Sequence, residues 1–388
     1  MGVLGGCGVW SWCDLTPAQR AAHGGKRRAK DGGARVAAAF VGVAAGKGRT
    51  GALGRTGTGR RNRAVGRVFP TRARRRRPDR RVPMPLDPAT ICVLANPKSG
   101  LNSRDAEAIG KAMAVFGPAA TLRRWERGEA LADVVGKAID DGFTTIVAAG
   151  GDGTVRGVAQ EMLGRDVSMA VLPLGTFNFF ARGLGLPEDP EAAARAILNG
   201  TARRIAVGTV NGRVFLNNAS LGVYPLILQS REQVYARFGR SRLLAYWTVV
   251  ETLVRVQATK RMVIHADGQL HDFRSPLLFV ARSAYQLNHY GLEGAAAISA
   301  DRFAVFILRD GSRWQMLKAV AKLAMKRAVV GSEIDVIYAR DMQVTPASRR
   351  PLVAMDGERE HIRAPLRFVI RDEGLSVILP SEADKVGL

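Results

Sequence analysis

The chain has 388 residues, 47% of them hydrophobic and 24% charged, with a formal net charge of +24. A chain this long exceeds what one core usually holds, so two domains are expected, and its apolar content is ample for folding. Three cysteines, with no paired or metal-binding spacing, exclude a disulfide framework and a zinc module.

The charge is uneven. Residues 1–83 hold 20 Lys and Arg against 3 Asp, leaving 38 basic and 31 acidic residues in the rest. This leader is rich in Gly, Ala and Arg, culminates in Arg74-Arg75-Arg76-Arg77-Pro78, and shows no sustained period of 2 or 3.6. It reads as disordered. Three interpretations compete: an arm for nucleic acid or an anionic membrane, a targeting segment, or an upstream extension of a protein that begins at Met84. Cys7 and Cys13 lie in the leader, and only Cys92 falls in the expected folded part. That usage suits a reducing compartment and predicts a cytoplasmic protein. No run of about 18 uninterrupted apolar residues predicts a spanning helix.

From residue 90 strands and helices alternate. Ile91 to Ala95, Thr121 to Trp125, Thr144 to Ala149 and Met169 to Leu172 read as strands. Helices are expected over Arg104 to Phe116, capped by Ser103, over Glu129 to Asp141, and from the turn after Ala149 through Leu163. Buried apolar strands alternating with helices predict a parallel sheet covered on both faces, residues 88–200. Ligands of such open sheets bind beyond the carboxyl ends of the strands. Asn96 to Gly100, Gly150 to Thr154 and Gly175 to Asn178 all fall there.

Beyond Thr201 short strands dominate: Arg204 to Val210, Val214 to Asn218, Arg261 to Ala266, Leu277 to Ala281, Phe303 to Leu308, Glu333 to Tyr338, Leu352 to Ala354, Leu366 to Ile370 and Leu375 to Leu379. Asn211-Gly212 and Asp267-Gly268 signal hairpins. Two helices, Arg242 to Val256 and Arg313 to Lys326, interrupt. Residues 201–380 are therefore expected to form a second, mainly antiparallel β-rich domain.

The most informative segment is Gly150-Gly151-Asp152-Gly153-Thr154, between an apolar strand and a helix. Glycines permit tight turns and close approach of a ligand to the backbone. Free backbone N–H groups at a helix start suit phosphate, and a carboxylate beside phosphate makes sense with magnesium between them. No Gly-Lys-Ser/Thr follows, so this is not a Walker loop. Asp356-Gly357-Glu358, read from spacing alone, is a hairpin turn between Val353 and Arg363.

Three segments, Asn96-Pro97-Lys98-Ser99-Gly100, Gly150 to Thr154 and Leu172-Pro173-Leu174-Gly175-Thr176-Phe177-Asn178, together resemble the diacylglycerol kinase catalytic-domain family, which includes bacterial lipid kinases and sphingosine kinases. Phe215-Leu216-Asn217-Asn218-Ala219-Ser220-Leu221-Gly222 and Met355-Asp356-Gly357-Glu358 look like its second-domain signatures, and the match runs in order over about residues 90–380. The resemblance implies an open α/β nucleotide-binding domain followed by a mainly antiparallel β-rich domain that binds the lipid, with the active site in the cleft between them. It further implies phosphorylation of a lipid alcohol by ATP with Mg2+. Asn96, Ser99, Gly100, Gly150, Gly151, Asp152, Gly153, Thr154, Gly175, Thr176 and Asn178 would hold the nucleotide, Asp152 acting through the metal. Asp356 and Glu358 would be catalytic, one of them taking the hydroxyl proton.

The chain departs from the family pattern at several positions. Phe179 stands where many relatives carry Asp, Arg156 replaces a usual Asn, and Ser299-Ala300-Asp301-Arg302 lacks the usual Asp-Gly of a metal loop. Lys98 reads equally as a phosphate contact and as a solvated charge. Peripheral contact with an anionic membrane is expected through Arg237, Arg240, Arg242, Lys322, Lys326 and Arg327. The helix Leu243 to Val254 reads as core-packed rather than as the border of an acyl cleft. Nucleic acid is not expected as a partner, and oligomeric state is open. The rival functions are a soluble-metabolite kinase of the NAD kinase type and a non-catalytic nucleotide- or nucleic-acid-binding regulator.

Overall fold

The computed structural model describes residues 86–96, 103–126, 128–226, 228, 259–309, 315 and 334–387. The leader, Lys98, Ser99, Gly100, both interrupting helices but for Gln315, and the six basic residues expected at a membrane lie outside these residues.

The first half alternates as its apolar pattern requires. In order come β1 (Ile91–Ala95), α1 (Ser103–Phe116), β2 (Thr121–Arg124), α2 (Leu131–Asp140), β3 (Thr145–Gly150), α3 (Asp152–Met162) and β4 (Ser168–Pro173). Two further helices follow, α4 (Phe179–Gly183) and α5 (Pro190–Leu198). The strands run parallel in the order β2-β1-β3-β4. Every residue of β1 is buried, and successive side chains enter opposite cores. Cys92 and Leu94 meet Val134, Val135 and Ala138 of α2 and Val155, Val158, Ala159 and Met162 of α3. Ile91, Val93 and Ala95 meet Ile109, Ala112 and Phe116 of α1 and Ala193, Ala194 and Ile197 of α5. The sheet is thus covered on both faces. Burial pushes the Cys92 thiol up to about 11, so it packs as a small apolar group.

The second half contributes β5 (Thr201–Val210), β6 (Arg213–Phe215), β7 (Asn218–Gly222), β8 (Lys260–Ala266), β9 (Gln269–Ser275) and β10 (Leu277–Ala281). Then come α6 (Ala284–Tyr290), α7 (Ala295–Ser299), β11 (Phe303–Leu308), β12 (Ile334–Ala339), β13 (Asp341–Pro346), β14 (Leu352–Met355), β15 (Glu358–His361) and β16 (Leu366–Leu379). One antiparallel sheet has the order β12-β11-β10-β7-β14-β15. The other antiparallel strands join the parallel sheet through β16, giving β4-β16-β13-β8-β9 with β5 and β6 alongside. Between the two layers Phe215, Phe303 and Phe368 are fully buried and in mutual ring contact at 5.7, 6.2 and 6.5 Å.

Two expectations change in detail. Leu366 to Ile370 and Leu375 to Leu379 form one strand, interrupted by a register shift between Arg371 and Leu375. Its first part pairs with β13, while Ser376 and Val377 pair in parallel with Ser168 and Met169 of β4. The expected strand Val214 to Asn218 is divided, because the chain crosses between sheets at Leu216 and Asn217. There β6 leaves β5, and β7 enters between β10 and β14. The expected Asn and Asp turns are confirmed: Asn211-Gly212 and Asp267-Gly268 both take two successive positive φ values and close the hairpins β5–β6 and β8–β9.

Candidate active site

The carboxyl ends of β3 and β4 lie side by side, with Gly150 paired to Pro173. Their loops then touch backbone to backbone. A Cβ on Gly175 would stand 2.6 Å from the Gly151 Cα, and one on Gly150 would stand 2.6 Å from the Thr154 Cβ. Only glycine fits this approach. Asn178 locks the second loop: its buried side chain accepts from the Gly175 N–H at 2.9 Å and donates to the Gly175 carbonyl at 2.9 Å. It does so from the left-handed region, at φ 50, which Asn tolerates better than most residues. Asn96, just past β1, donates through Nδ2 to the Thr154 Oγ1 at 3.0 Å. Three sheet-edge loops are therefore tied together.

Asp152 opens α3. Its carboxylate accepts from the backbone N–H groups of Phe179 and Phe180, at 3.3 and 3.2 Å, at the start of α4. It also accepts from the Asn217 Nδ2 at 3.3 Å. Burial raises its pKa, opposed by these donors.

Asp356 reaches the same place from the other half of the molecule. Asp356 and Gly357, at φ 49 and 91, form the turn of the β14–β15 hairpin, where Met355 pairs with Glu358. The turn read from spacing and the site implied by the family resemblance are thus one structure. The crossing of the chain between sheets frees three backbone N–H groups, and the Asp356 carboxylate accepts all three: Leu216 at 2.7 Å, Asn217 at 2.8 Å and Asn218 at 3.0 Å. Burial, with a smaller contribution from the nearby Asp152 charge, pushes the carboxyl up to about 6 despite these donors.

Asn217 was not singled out from the sequence, yet it joins the two carboxylates. Its N–H bonds Asp356 and its side-chain amide bonds Asp152. Asn218 likewise donates through Nδ2 to the Gln286 Oε1 of α6 at 3.0 Å. The Asn217-Asn218 pair was visible in the sequence only as part of a longer signature, because its partners lie 65 to 139 residues away.

A cavity of about 430 Å³ opens between these groups. Its lining includes the polar Asp152, Asp356, Glu358, Asn217 and Gln286 and the aromatic Phe177, Phe179, Tyr224 and Tyr290. Gly153 and Thr176 line it as well. Of the expected site residues, Asp152, Gly153, Thr176, Asp356 and Glu358 line the cavity directly. Asn96, Gly150, Gly151, Thr154, Gly175 and Asn178 shape its loops, and Ser99 and Gly100 lie outside the described residues. Arg156 donates to the Val214 carbonyl at 3.3 Å. Asp301 instead pairs with the buried Arg282 at 2.7 Å. Among the described residues no cluster of three His, Cys, Asp or Glu could hold a metal unaided, and no helix is long and apolar enough to cross a membrane.

Comparison with known proteins agrees with this arrangement. A segment is 53% identical over 100 residues to a Pseudomonas aeruginosa UCBPP-PA14 protein described as "Probable lipid kinase YegS-like", covering 25% of this chain and 32% of that one. The aligned segment therefore spans about a third of the relative's length. A diacylglycerol kinase of Bacillus subtilis strain 168 is 29% identical over 245 residues, 62% of this chain and 79% of its own. The crystal structure of a diacylglycerol kinase from Bacillus anthracis str. Sterne superposes with a TM-score of 0.55 at 17% identity, covering 76% of this chain and 97% of that one, which shows a shared fold. Residues 90–210 match the family model for the diacylglycerol kinase catalytic domain.

Proposed function

We propose that this protein is an ATP-dependent kinase of lipid alcohols, with Mg2+ as its metal. The observation that carries the reading is the convergence of Asp152 and Asp356 on one cavity, joined through Asn217. Glycine-rich loops on one side suit a polyphosphate, and a carboxylate facing an aromatic wall on the other suits the hydroxyl of an amphiphile.

Asp356 fits the role of general base. With a pKa of about 6 it is ionised at neutral pH yet close enough to accept a proton. Its three backbone donors fix its orientation. In the proposed step the acceptor hydroxyl gives its proton to Asp356 while its oxygen attacks the γ-phosphorus of ATP. The bond to the β–γ bridging oxygen breaks, and ADP departs with that electron pair. Catalysis then rests on positioning and charge neutralisation. Glu358, exposed at the rim of the cavity, would orient the acceptor.

Magnesium prefers hard oxygen donors and is commonly bound by one or two carboxylates plus substrate phosphates. The donor set fits: Asp152 offers a carboxylate, and the Asn217 Oδ1 is buried without a hydrogen-bond partner. When bound, the ion would neutralise phosphate charge. The lipid would be met at an anionic membrane surface.

The test is the full chain with γ-labelled ATP and Mg2+, offered diacylglycerol, phosphatidylglycerol and a long-chain amino alcohol in mixed micelles, with NAD as a soluble acceptor. Label in a lipid fraction, abolished by EDTA, is expected. Label confined to NAD would replace this reading with the soluble-metabolite one.

A further inference from the structure

Phe179 serves the site twice, through separable parts. Its backbone N–H donates to Asp152, and through Asn217 that carboxylate is linked onward to Asp356, so three hydrogen bonds connect the Phe179 backbone to the proposed base. Its ring does something the backbone cannot. It lies parallel to Phe177 at 5.6 Å and 4°, meets His289 edge-on at 5.7 Å, and touches Tyr290 at 5.9 Å. Phe177, Phe179 and Tyr290 line the same cavity as Asp152, Asp356 and Glu358.

Two consequences follow for anything that binds there. An apolar wall this close to the reacting centre rewards an acceptor whose hydrocarbon begins within a few bonds of its hydroxyl. Among the described lining residues there are three carboxylates and no Lys or Arg. Among these residues a phosphodiester beside the reacting hydroxyl would therefore meet like charge and an apolar surface.

Resting on the lipid-kinase reading, we infer that Phe179 is a specificity-determining residue: its ring, with Phe177 and Tyr290, selects lipid alcohols with no phosphate next to the hydroxyl and disfavours phospholipid alcohols.

The test uses the full chain in mixed micelles, with dioleoylglycerol and dioleoylphosphatidylglycerol as competing acceptors. They share acyl chains and differ in the phosphodiester and its added glycerol. Wild type should favour dioleoylglycerol by about tenfold or more in kcat/KM. Phe179→Leu retains the N–H that serves Asp152, so the KM for ATP should hold. The KM for dioleoylglycerol should rise by about tenfold, and the preference between the two lipids should narrow. Phe179→Ala should do the same more strongly. Equal or inverted preference in wild type overturns the inference whether or not the variants fold. So does a Phe179→Leu enzyme whose KM values for ATP and lipid rise together, because that pattern marks a merely structural ring. Transfer to neither lipid nor to a long-chain amino alcohol overturns the kinase reading itself, and this inference with it.

Discussion

Asp356→Asn separates the charge of the buried carboxylate from its shape. The turn residue sits at φ 49, a conformation that Asn tolerates as readily as Asp, so the β14–β15 hairpin should persist. The amide oxygen can still accept from Asn217 and Asn218, but the new Nδ2 faces the Leu216 N–H, donor against donor. That lost charge-assisted bond costs about 1.5–3 kcal/mol. Opposing it is the cost of holding a charge there. Burial moves the carboxyl from 3.8 to about 6, which corresponds to roughly 3 kcal/mol. Because the folded-state pKa is raised, this contribution to stability is fully present below pH 3.8 and is lost as pH rises through about 6. The Asn variant has no such loss. Relative to wild type, its unfolding free energy should therefore improve by about 3 kcal/mol between pH 4 and pH 8, bringing the two proteins close together at the upper end. Turnover should nevertheless fall by about 10²–10⁴-fold at pH 8. Urea unfolding followed by circular dichroism at several pH values, with initial rates measured alongside, tests both halves. A stability difference that does not change with pH would refute the buried-carboxyl argument, and an Asn variant with wild-type turnover would refute the base.

Three further substitutions probe the surroundings. Asp152→Ala removes the acceptor for the Phe179 and Phe180 N–H groups at the start of α4, which should cost about 0.5–2 kcal/mol, as for a lost cap, while abolishing transfer; a folded variant with full turnover would contradict its placement. Gly175→Ala drives a Cβ to 2.6 Å from the Gly151 Cα and 2.7 Å from the Asn178 Oδ1, so it should cost about 1–3 kcal/mol and weaken ATP binding, measured by equilibrium dialysis; unchanged affinity would show that the two loops do not jointly form the phosphate site. At Gly153 the nearest atom to an added Cβ is the Glu358 Oε1 at 2.8 Å, the end of a flexible side chain. Gly153→Ala should therefore leave stability within about 0.5 kcal/mol but lower turnover by displacing Glu358, and unaltered kinetics would remove Glu358 from the reaction.

The parallel half of the fold was legible because β1, β3 and β4 are built on apolar runs and its helices carry apolar stripes. The Asn211-Gly212 and Asp267-Gly268 hairpins were legible because two successive positive φ values favour those dipeptides. Some signals were present but unread: Asp189 caps α5 with Pro190 at its first position, and β13 alternates buried Met342, Val344 and Pro346 with exposed residues. Other features had no local signal. Val214-Phe215-Leu216 is one apolar run, and nothing in it announces that β6 and β7 belong to different sheets. The same holds for β16, whose pairing with β4 joins residues about 200 positions apart. At the site, the glycine turn announced Asp152, and the family resemblance announced Asp356. Asn217, Gln286 and Tyr290 became visible only once folding brought their partners to them. Phe179 was legible as a departure from the family pattern, while its meaning required the ring contacts.

The central claim is that one cavity transfers phosphate from ATP to an alcohol on a lipid, and product stoichiometry tests it most directly. The full chain, ATP, Mg2+ and micellar dioleoylglycerol, followed by phosphorus NMR, should yield one lipid phosphomonoester for each ADP formed, and neither product should accumulate with Asp356→Asn. ADP accompanied only by inorganic phosphate, or lipid phosphorylation that persists at the wild-type rate in Asp356→Asn, would contradict it.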